Sequence, residues 1–195
     1  MAVTTLDPRT ALVVIDLQNG IVGNPGVAPH PAADIVERSV RLAAAFRGHG
    51  LPVVLVRVTA AADGSDAVSG RIDGGSRGRS FPEGWDVIVD DLAGHPEDIT
   101  VTKRNWGAFY GTDLDLQLRR RGITQIVLTG IATSIGVESS ARAAHEHGYH
   151  VTLATDAMTD LDAETHRNSV ERIFPRLGET GTTDEILEVL DKSRV

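Results

Sequence analysis

Residues 130–138, GIATSIGVE, follow the apolar run QIVLT at residues 125–129 and decide the fold. A short apolar run without alternation is typical of a strand that is covered on both faces. The small and polar residues after it open a helix that we expect to run from about Ser134 to His147, with Gly148 as its C-terminal stop. A buried strand that leads directly into a helix predicts a parallel α/β sheet.

The same alternation of strand and helix recurs along the chain. We expect strands at residues 11–15, 53–58, 99–102, 125–129 and 150–154, and helices at 31–49, 112–121, 134–147, 164–174 and 182–190. Residues 59–84, rich in Gly, Ser, Asp and Arg, are predicted to form a long loop. The sequence therefore predicts one domain over residues 1–195, with a three-layer α/β/α fold and a mostly parallel, roughly six-stranded, doubly wound sheet.

Composition narrows the classes of partner. Acidic residues exceed basic ones and give a formal net charge of −8, which disfavours nucleic acid and anionic membranes as partners. No apolar run approaches the roughly 18 residues of a membrane-spanning helix, and the N-terminus lacks a signal-peptide pattern. We expect a cytoplasmic protein that acts on a small-molecule substrate. Because the chain has no Cys, a thiol-based covalent mechanism is excluded.

Three segments are candidates for the chemistry. Asp16 ends the first predicted strand, Lys103 ends the third, and residues 131–136 follow the fourth. Ligands of open parallel sheets bind beyond the carboxyl ends of the strands, so these groups converge if the first and fourth strands are neighbours. A carboxyl group beside an ammonium group suits general acid–base catalysis, and N–H groups at a helix start suit an anion. The alternatives are a loop-capping Asp, a solvated Lys and a purely structural turn.

Motifs along the chain resemble the isochorismatase-like hydrolase superfamily. They are VIDLQN (14–19), TKRNWGAF (102–109), TGIAT (129–133), ARAA (141–144), GY (148–149) and DA (156–157). The similarity runs from Ala11 to Leu190. Most members are amidases with an Asp, Lys and Cys set, and the resemblance places these three on Asp16, Lys103 and Gly136. True isochorismatases, which split a vinyl ether into pyruvate and a dihydrodiol, are similar to this chain in carrying Gly at the third position.

The resemblance implies a cofactor-independent hydrolase of the cysteine-lacking branch. In it, Asp16 protonates the enol-ether carbon, Lys103 holds the charge of the site and the substrate, and Gly136 leaves space. It also implies a cis peptide bond between Ile131 and Ala132, and a homodimer or higher homo-oligomer. Two alternatives remain open: a thiol-free amidase or esterase with water activated by Asp16, and a catalytically silent binding or assembly relative.

Substrate contacts are expected from segments that face the cleft. These residues are Gln18, Ile21, Arg79, Trp106, Phe109, Ile131, Ala132 and Thr133. Trp106 and Phe109 have an alternative place in the core or a subunit contact, and Arg79 an alternative role in loop solubility. No phosphate loop or dinucleotide fingerprint is present, so no cofactor is predicted. No metal is predicted either, because residues 24–30 lack the Asp and His cluster of the metal-binding nicotinamidase branch.

Overall fold

A six-stranded sheet forms the centre of the fold. The computed structural model of the protein describes residues 3–68, 70–73 and 81–193. The strands are β1 (Thr10–Ile15), β2 (Val53–Val58), β3 (Ile99–Lys103), β4 (Gln125–Ile131), β5 (His150–Thr159) and β6 (Glu179–Gly181). The helices are α1 (Asn19–Val22), α2 (Ala32–Gly48), α3 (Leu114–Arg120), α4 (Glu138–Glu146), α5 (Ala163–Asn168) and α6 (Thr183–Lys192).

The strand order is β3-β2-β1-β4-β5-β6, and every neighbouring pair is parallel. The chain builds outward from β1 in one direction through β2 and β3, and then in the other direction from β4. This reversal makes the boundary between β1 and β4 the topological switch point of the sheet. The predicted α/β class and its doubly wound, parallel sheet are confirmed.

Helices cover both faces of the sheet, so the apolar strands are buried on both sides. One face is covered by α3 and α4, whose buried residues include Leu114, Leu118, Ala141 and Ala144. The other face is covered by α2 and α6, whose buried residues include Ile35, Leu42, Phe46, Ile186 and Leu190. One apolar cluster lies on each face of the sheet, between the strands and the helices. The fold therefore has the three α/β/α layers that the sequence predicted.

The predicted helix over residues 134–147 begins differently from the expectation. Residues Thr133–Val137 form a π-helical turn, and the regular helix α4 begins only at Glu138. Gly136 lies inside this turn, and glycine is a poor helix former. Single π-helical turns are frequent at functional sites. The helix predicted over residues 164–174 is likewise divided, into α5, a π-helical turn at Ser169–Ile173 and a 3-10 turn at Phe174–Arg176.

Two strands depart from the expectation on the β5 side of the sheet. β5 extends to Thr159 because its register against β4 shifts between Leu128 and Gly130, so the strand continues after an irregular segment. β6 has only three residues, which is too short for an apolar run to indicate it. No helix in the described part of the chain is long and apolar enough to cross a membrane.

Candidate active site at the switch point

The predicted catalytic pair meets at the carboxyl ends of the central strands. Asp16 directly follows β1, whereas Lys103 is the last residue of β3, two strands away. The Lys103 side chain spans this gap, and its Nζ lies 2.8 Å from Oδ2 of Asp16. The same Nζ donates a hydrogen bond to the carbonyl oxygen of Asn105 at 3.1 Å. The long, flexible lysine side chain is what joins an edge strand to the centre of the sheet.

Asp16 has a backbone conformation that few side chains accept. Its φ is +55°, in the left-handed region, which Asp tolerates better than most residues. The Asp16 N–H donates to the carbonyl oxygen of Val56, and its own carbonyl oxygen accepts from the Gln18 N–H, both at 2.9 Å. These bonds on both sides fix the residue at the point where the chain turns away from β1.

The Asp16–Lys103 pair is almost completely removed from solvent. Asp16 is 4% exposed and Lys103 is 2% exposed. Burial raises the pKa of the Asp16 carboxyl to about 6, although the charge and the hydrogen bond of Lys103 oppose this rise. Oδ1 of Asp16 is buried and has no hydrogen-bond partner among the described residues. An oxygen without a donor disfavours the carboxylate and leaves a position for a proton.

Gly136 lies against this carboxyl group. A Cβ atom at this position would stand 3.2 Å from Oδ2 of Asp16 and 3.1 Å from Cγ2 of Ile15. Any side chain here would therefore contact Asp16 directly. The absence of a side chain leaves space beside Oδ2.

The junction that carries Gly136 is held by its neighbours. The peptide bond between Ile131 and Ala132 is cis, as the resemblance implied. The Ser134 N–H donates to Oδ2 of Asp160 at 2.6 Å. At Gly130 the φ is +122°, and a Cβ atom would overlap the carbonyl oxygen of Ile15. Glycine is therefore required at position 130, where β1 and β4 approach each other.

A cavity of about 490 Å³ opens above the pair. Its walls are mainly apolar and aromatic, and include Ile21, Val58, Phe81, Trp85, Trp106 and Leu161. The charged side chains among the described lining residues are Asp16, Lys103 and Arg104. A small-molecule cavity with an apolar wall and a few convergent polar groups is the usual form of an active site.

Seven of the predicted site residues line this cavity. They are Asp16, Ile21, Lys103, Trp106, Ile131, Ala132 and Gly136. Arg79 lies outside the described residues. The remaining three predicted residues, Gln18, Phe109 and Thr133, are buried and are not among the residues that line the cavity.

Each of these three side chains has a structural partner instead. Gln18 is fully buried, accepts from the Val58 N–H at 2.8 Å and donates to the Val58 carbonyl oxygen at 3.0 Å, which ties two wall segments together. Phe109 lies in the core and stacks on His147. Oγ1 of Thr133 lies 2.9 Å from Nδ1 of His166. Their contact with substrate stays a prediction, because the structure shows only the intramolecular partners of these three side chains.

Sequence reasoning missed a wall that the segment between β2 and β3 supplies. Residues 18–20 pair with this segment just beyond the predicted loop of residues 59–84, since Gln18 forms a bridge to Ile88 and the Gly20 N–H donates to the Trp85 carbonyl oxygen at 2.9 Å. A Cβ atom at Gly20 would overlap the Trp85 ring, so glycine permits this contact. The available signal was a pair of aromatic residues, Phe81 and Trp85, at the end of a stretch rich in Gly, Ser, Asp and Arg. No group of three or more His, Asp or Glu side chains among the described residues is arranged to hold a metal ion.

Comparison with known proteins identifies the family. The isochorismatase domain model matches residues 10–185, which is most of the chain. The chain belongs to the isochorismatase family. The isochorismatase family protein YecD of Escherichia coli O157:H7 is 50% identical over 181 residues, with 93% of this chain and 96% of that protein covered.

Two further isochorismatase-family comparisons bear on the fold and the chemistry. A solved structure of an isochorismatase family protein from Burkholderia thailandensis has a TM-score of 0.91 at 44% identity, with 96% of this chain and 98% of that chain covered. The ureidoacrylate amidohydrolase RutB of Methylobacterium radiotolerans is 32% identical over 199 residues, with 86% of this chain and 74% of that protein covered. The family is thus one of hydrolases, with amide hydrolysis among its activities.

Proposed function

We propose that the chain is a hydrolase that cleaves a vinyl ether of a small molecule, with Asp16 as the general acid. The observation that carries this proposal is the buried Asp16 carboxyl, whose pKa is raised to about 6 at the floor of an apolar cavity. A general acid works best when its pKa lies near the operating pH. An ordinary surface aspartate is ionised at that pH and has no proton to give.

The reaction follows from proton transfer to carbon. Asp16 donates its proton to the terminal carbon of the enol ether, and the electron pair of the C=C bond forms the new C–H bond. The resulting oxocarbenium ion is captured by water, and the hemiketal collapses to a ketone and an alcohol. The proton that water loses returns to Asp16, so the sum is enol ether plus water to ketone plus alcohol.

Lys103 favours the step in which Asp16 loses its proton. The ammonium group lies 2.8 Å from Oδ2 and stabilises the carboxylate that forms in the transition state. Because Lys103 is fixed before the reaction, no reorganisation is required when the charge develops. Asp16 therefore holds a proton near pH 6, and the Lys103 ammonium group favours the loss of that proton.

Gly136 supports this chemistry over covalent catalysis. The position that contacts Oδ2 of Asp16 has no nucleophile, and the chain has no Cys at all. Space beside the carboxyl group admits the substrate or the attacking water. The acyl-enzyme route that a thiol would provide is excluded.

Amide hydrolysis is the second candidate, and the ureidoacrylate amidohydrolase relative supports it. Without a thiol, Asp16 would act as a base that activates water, and it would need to be ionised. The two candidates require opposite protonation states of the same carboxyl group.

The test is turnover of enolpyruvyl ethers such as isochorismate and chorismate, measured as pyruvate release, beside ureidoacrylate and other small amides, measured as ammonia release. In D₂O, protonation at carbon places one deuterium in the pyruvate methyl group. Pyruvate release that Asp16→Asn abolishes supports the proposal. Ammonia release that depends on Asp16, without pyruvate, would replace it with the thiol-free amidase.

A further inference from the structure

We propose that Arg104 binds a carboxylate group of the substrate and that Asp66 competes for this cation from within the chain. The ligand class is a small carboxylic acid with an apolar body. This inference rests on the proposed function, because it concerns the same cavity, and it names the chemistry of the molecule that enters.

Lys103 is already committed to other partners. Its Nζ contacts Oδ2 of Asp16 and the Asn105 carbonyl oxygen, and the side chain is buried. An anionic substrate group that took Lys103 would leave the Asp16 carboxylate without its counter-ion. Arg104 is the next residue along the chain and lines the same cavity. It supplies a positive charge without disturbing the catalytic pair.

The partner of Arg104 can be exchanged. NH1 of Arg104 lies 2.7 Å from Oδ2 of Asp66, and the two side chains are 58% and 44% exposed. Exposed ion pairs of this kind are weak. A guanidinium group has five N–H donors and binds a carboxylate through two of them, so a substrate can displace Asp66 at little net loss.

Asp66 is held close to the cavity by its own segment. Its Oδ1 accepts from the Ala61 N–H at 2.5 Å, and the following residues Ala67 and Val68 line the cavity. The segment that forms part of the cavity wall therefore holds the Asp66 carboxylate against Arg104, where it occupies the position of a bound carboxylate ligand. A substrate carboxylate would exchange with the Asp66 carboxylate as the partner of Arg104.

The rest of the cavity suits an apolar body. Phe81 and Trp85 form an edge-to-face pair with ring centroids 4.7 Å apart, and both line the cavity. Trp106 and Leu161, also in the lining, are large apolar side chains with more than half of their surface exposed. A ligand with a ring or a branched hydrocarbon would cover this surface. In an enolpyruvyl ether the carboxylate is bonded to the enol carbon, so it lies close to the carbon that receives the proton. Arg104 is adjacent in sequence to Lys103, and a cation at this position therefore suits an enolpyruvyl ether.

The tryptophans provide a direct readout. The chain contains two, Trp85 and Trp106, and both line the cavity. Titration with benzoate, monitored by tryptophan fluorescence and checked by calorimetry, measures carboxylate binding without any turnover. Benzamide has the same ring and no charge, so it is the matched ligand.

The expected result is saturable binding of benzoate and weaker binding of benzamide. Arg104→Gln weakens benzoate binding about two- to fivefold, the scale of an exposed ion pair, and leaves benzamide binding unchanged. Asp66→Asn strengthens benzoate about two- to fivefold, since the competing charge is removed and an oxygen remains for the Ala61 N–H. Arg120→Gln and Asp90→Asn make the same charge changes at exposed positions outside the cavity lining and leave both constants unaltered.

The inference is overturned if Arg104→Gln binds benzoate like wild type while circular dichroism shows that it is folded. It is also overturned if Asp66→Asn binds benzoate more weakly than wild type. Failure of benzoate to bind both wild type and Asp66→Asn overturns it too. The proposed function fails separately: carboxylate binding that obeys these variants, in a protein that releases no pyruvate, leaves the cation site standing and removes vinyl-ether hydrolysis.

Discussion

The Asp16–Lys103 pair makes the pH dependence of catalysis a strong test of the acid mechanism. If the protonated carboxyl is the active form, kcat/KM is constant at low pH and falls above the pKa of the free enzyme. With a pKa of about 6, roughly nine tenths of Asp16 is protonated at pH 5 and about one hundredth at pH 8. The expected decrease in kcat/KM over this interval is therefore about 90-fold.

Replacement of the counter-ion moves this profile in a defined direction. Lys103 lowers the pKa of Asp16 through its charge and its hydrogen bond, whereas burial raises it. In Lys103→Met only the burial effect remains, so the inflection shifts to higher pH. The variant should lose absolute activity, because the developing carboxylate has no cation, yet it should retain a larger share of that activity at pH 8.

The assay is pyruvate release at subsaturating substrate, expressed as kcat/KM from about pH 4.5 to about pH 9. This range covers both sides of a pKa of about 6 and leaves room for a shift to higher pH. Thermal melts across the same range separate catalysis from unfolding. Because the folded-state pKa of Asp16 is raised, its contribution to stability is full below the ordinary aspartate pKa of 3.8 and is lost as pH rises through about 6. A rate that rises with pH, or an inflection in Lys103→Met that stays in place or moves down, would refute the reasoning.

Three other substitutions test the geometry of the site and the fold. Gly136→Ala places a methyl group 3.2 Å from Oδ2 of Asp16. We expect kcat to fall at least about tenfold and the free energy of unfolding to decrease by about 1 kcal/mol. An unchanged kcat would show that the reaction does not use this space. Gly20→Ala displaces the Trp85 ring, so KM for a vinyl-ether substrate and the tryptophan emission should change together. If neither changed, Trp85 would not form part of the cavity wall. Thr182→Ala removes the capping box of α6 and should lower the free energy of unfolding in urea by about 1 kcal/mol with no change in kcat.

Much of the fold followed from local patterns. The unalternating runs of β1 and β4 predicted strands covered on both faces, and their adjacency placed Asp16 at the switch point. The helix predicted over residues 182–190 was confirmed as α6, whose first turn is fixed by a capping box between Thr182 and Glu185. These features depend on residues that are close in sequence.

What the sequence did not reveal depends on distant segments. The wall around Trp85 is set by pairing between residues 18–20 and residues 85–88, which no local pattern indicates. Phe109 is close to Lys103 in sequence, yet it lies in the core and stacks on His147; the sequence had left a core position open as an alternative without deciding it. The contact of Arg104 with Asp66 joins residues that are far apart along the chain, so no motif could have pointed to it.

The junction after β4 has two glycines with very different freedom. At Gly130 a Cβ atom would overlap the Ile15 backbone, whereas at Gly136 a Cβ atom needs its neighbours to shift by only a few tenths of an ångström. The glycine codons GGT and GGC become the cysteine codons TGT and TGC by one change at the first base. A lineage can therefore gain or lose a thiol beside the same carboxyl group in a single mutational step. The chemistry of this site can change through position 136 while position 130 preserves the scaffold.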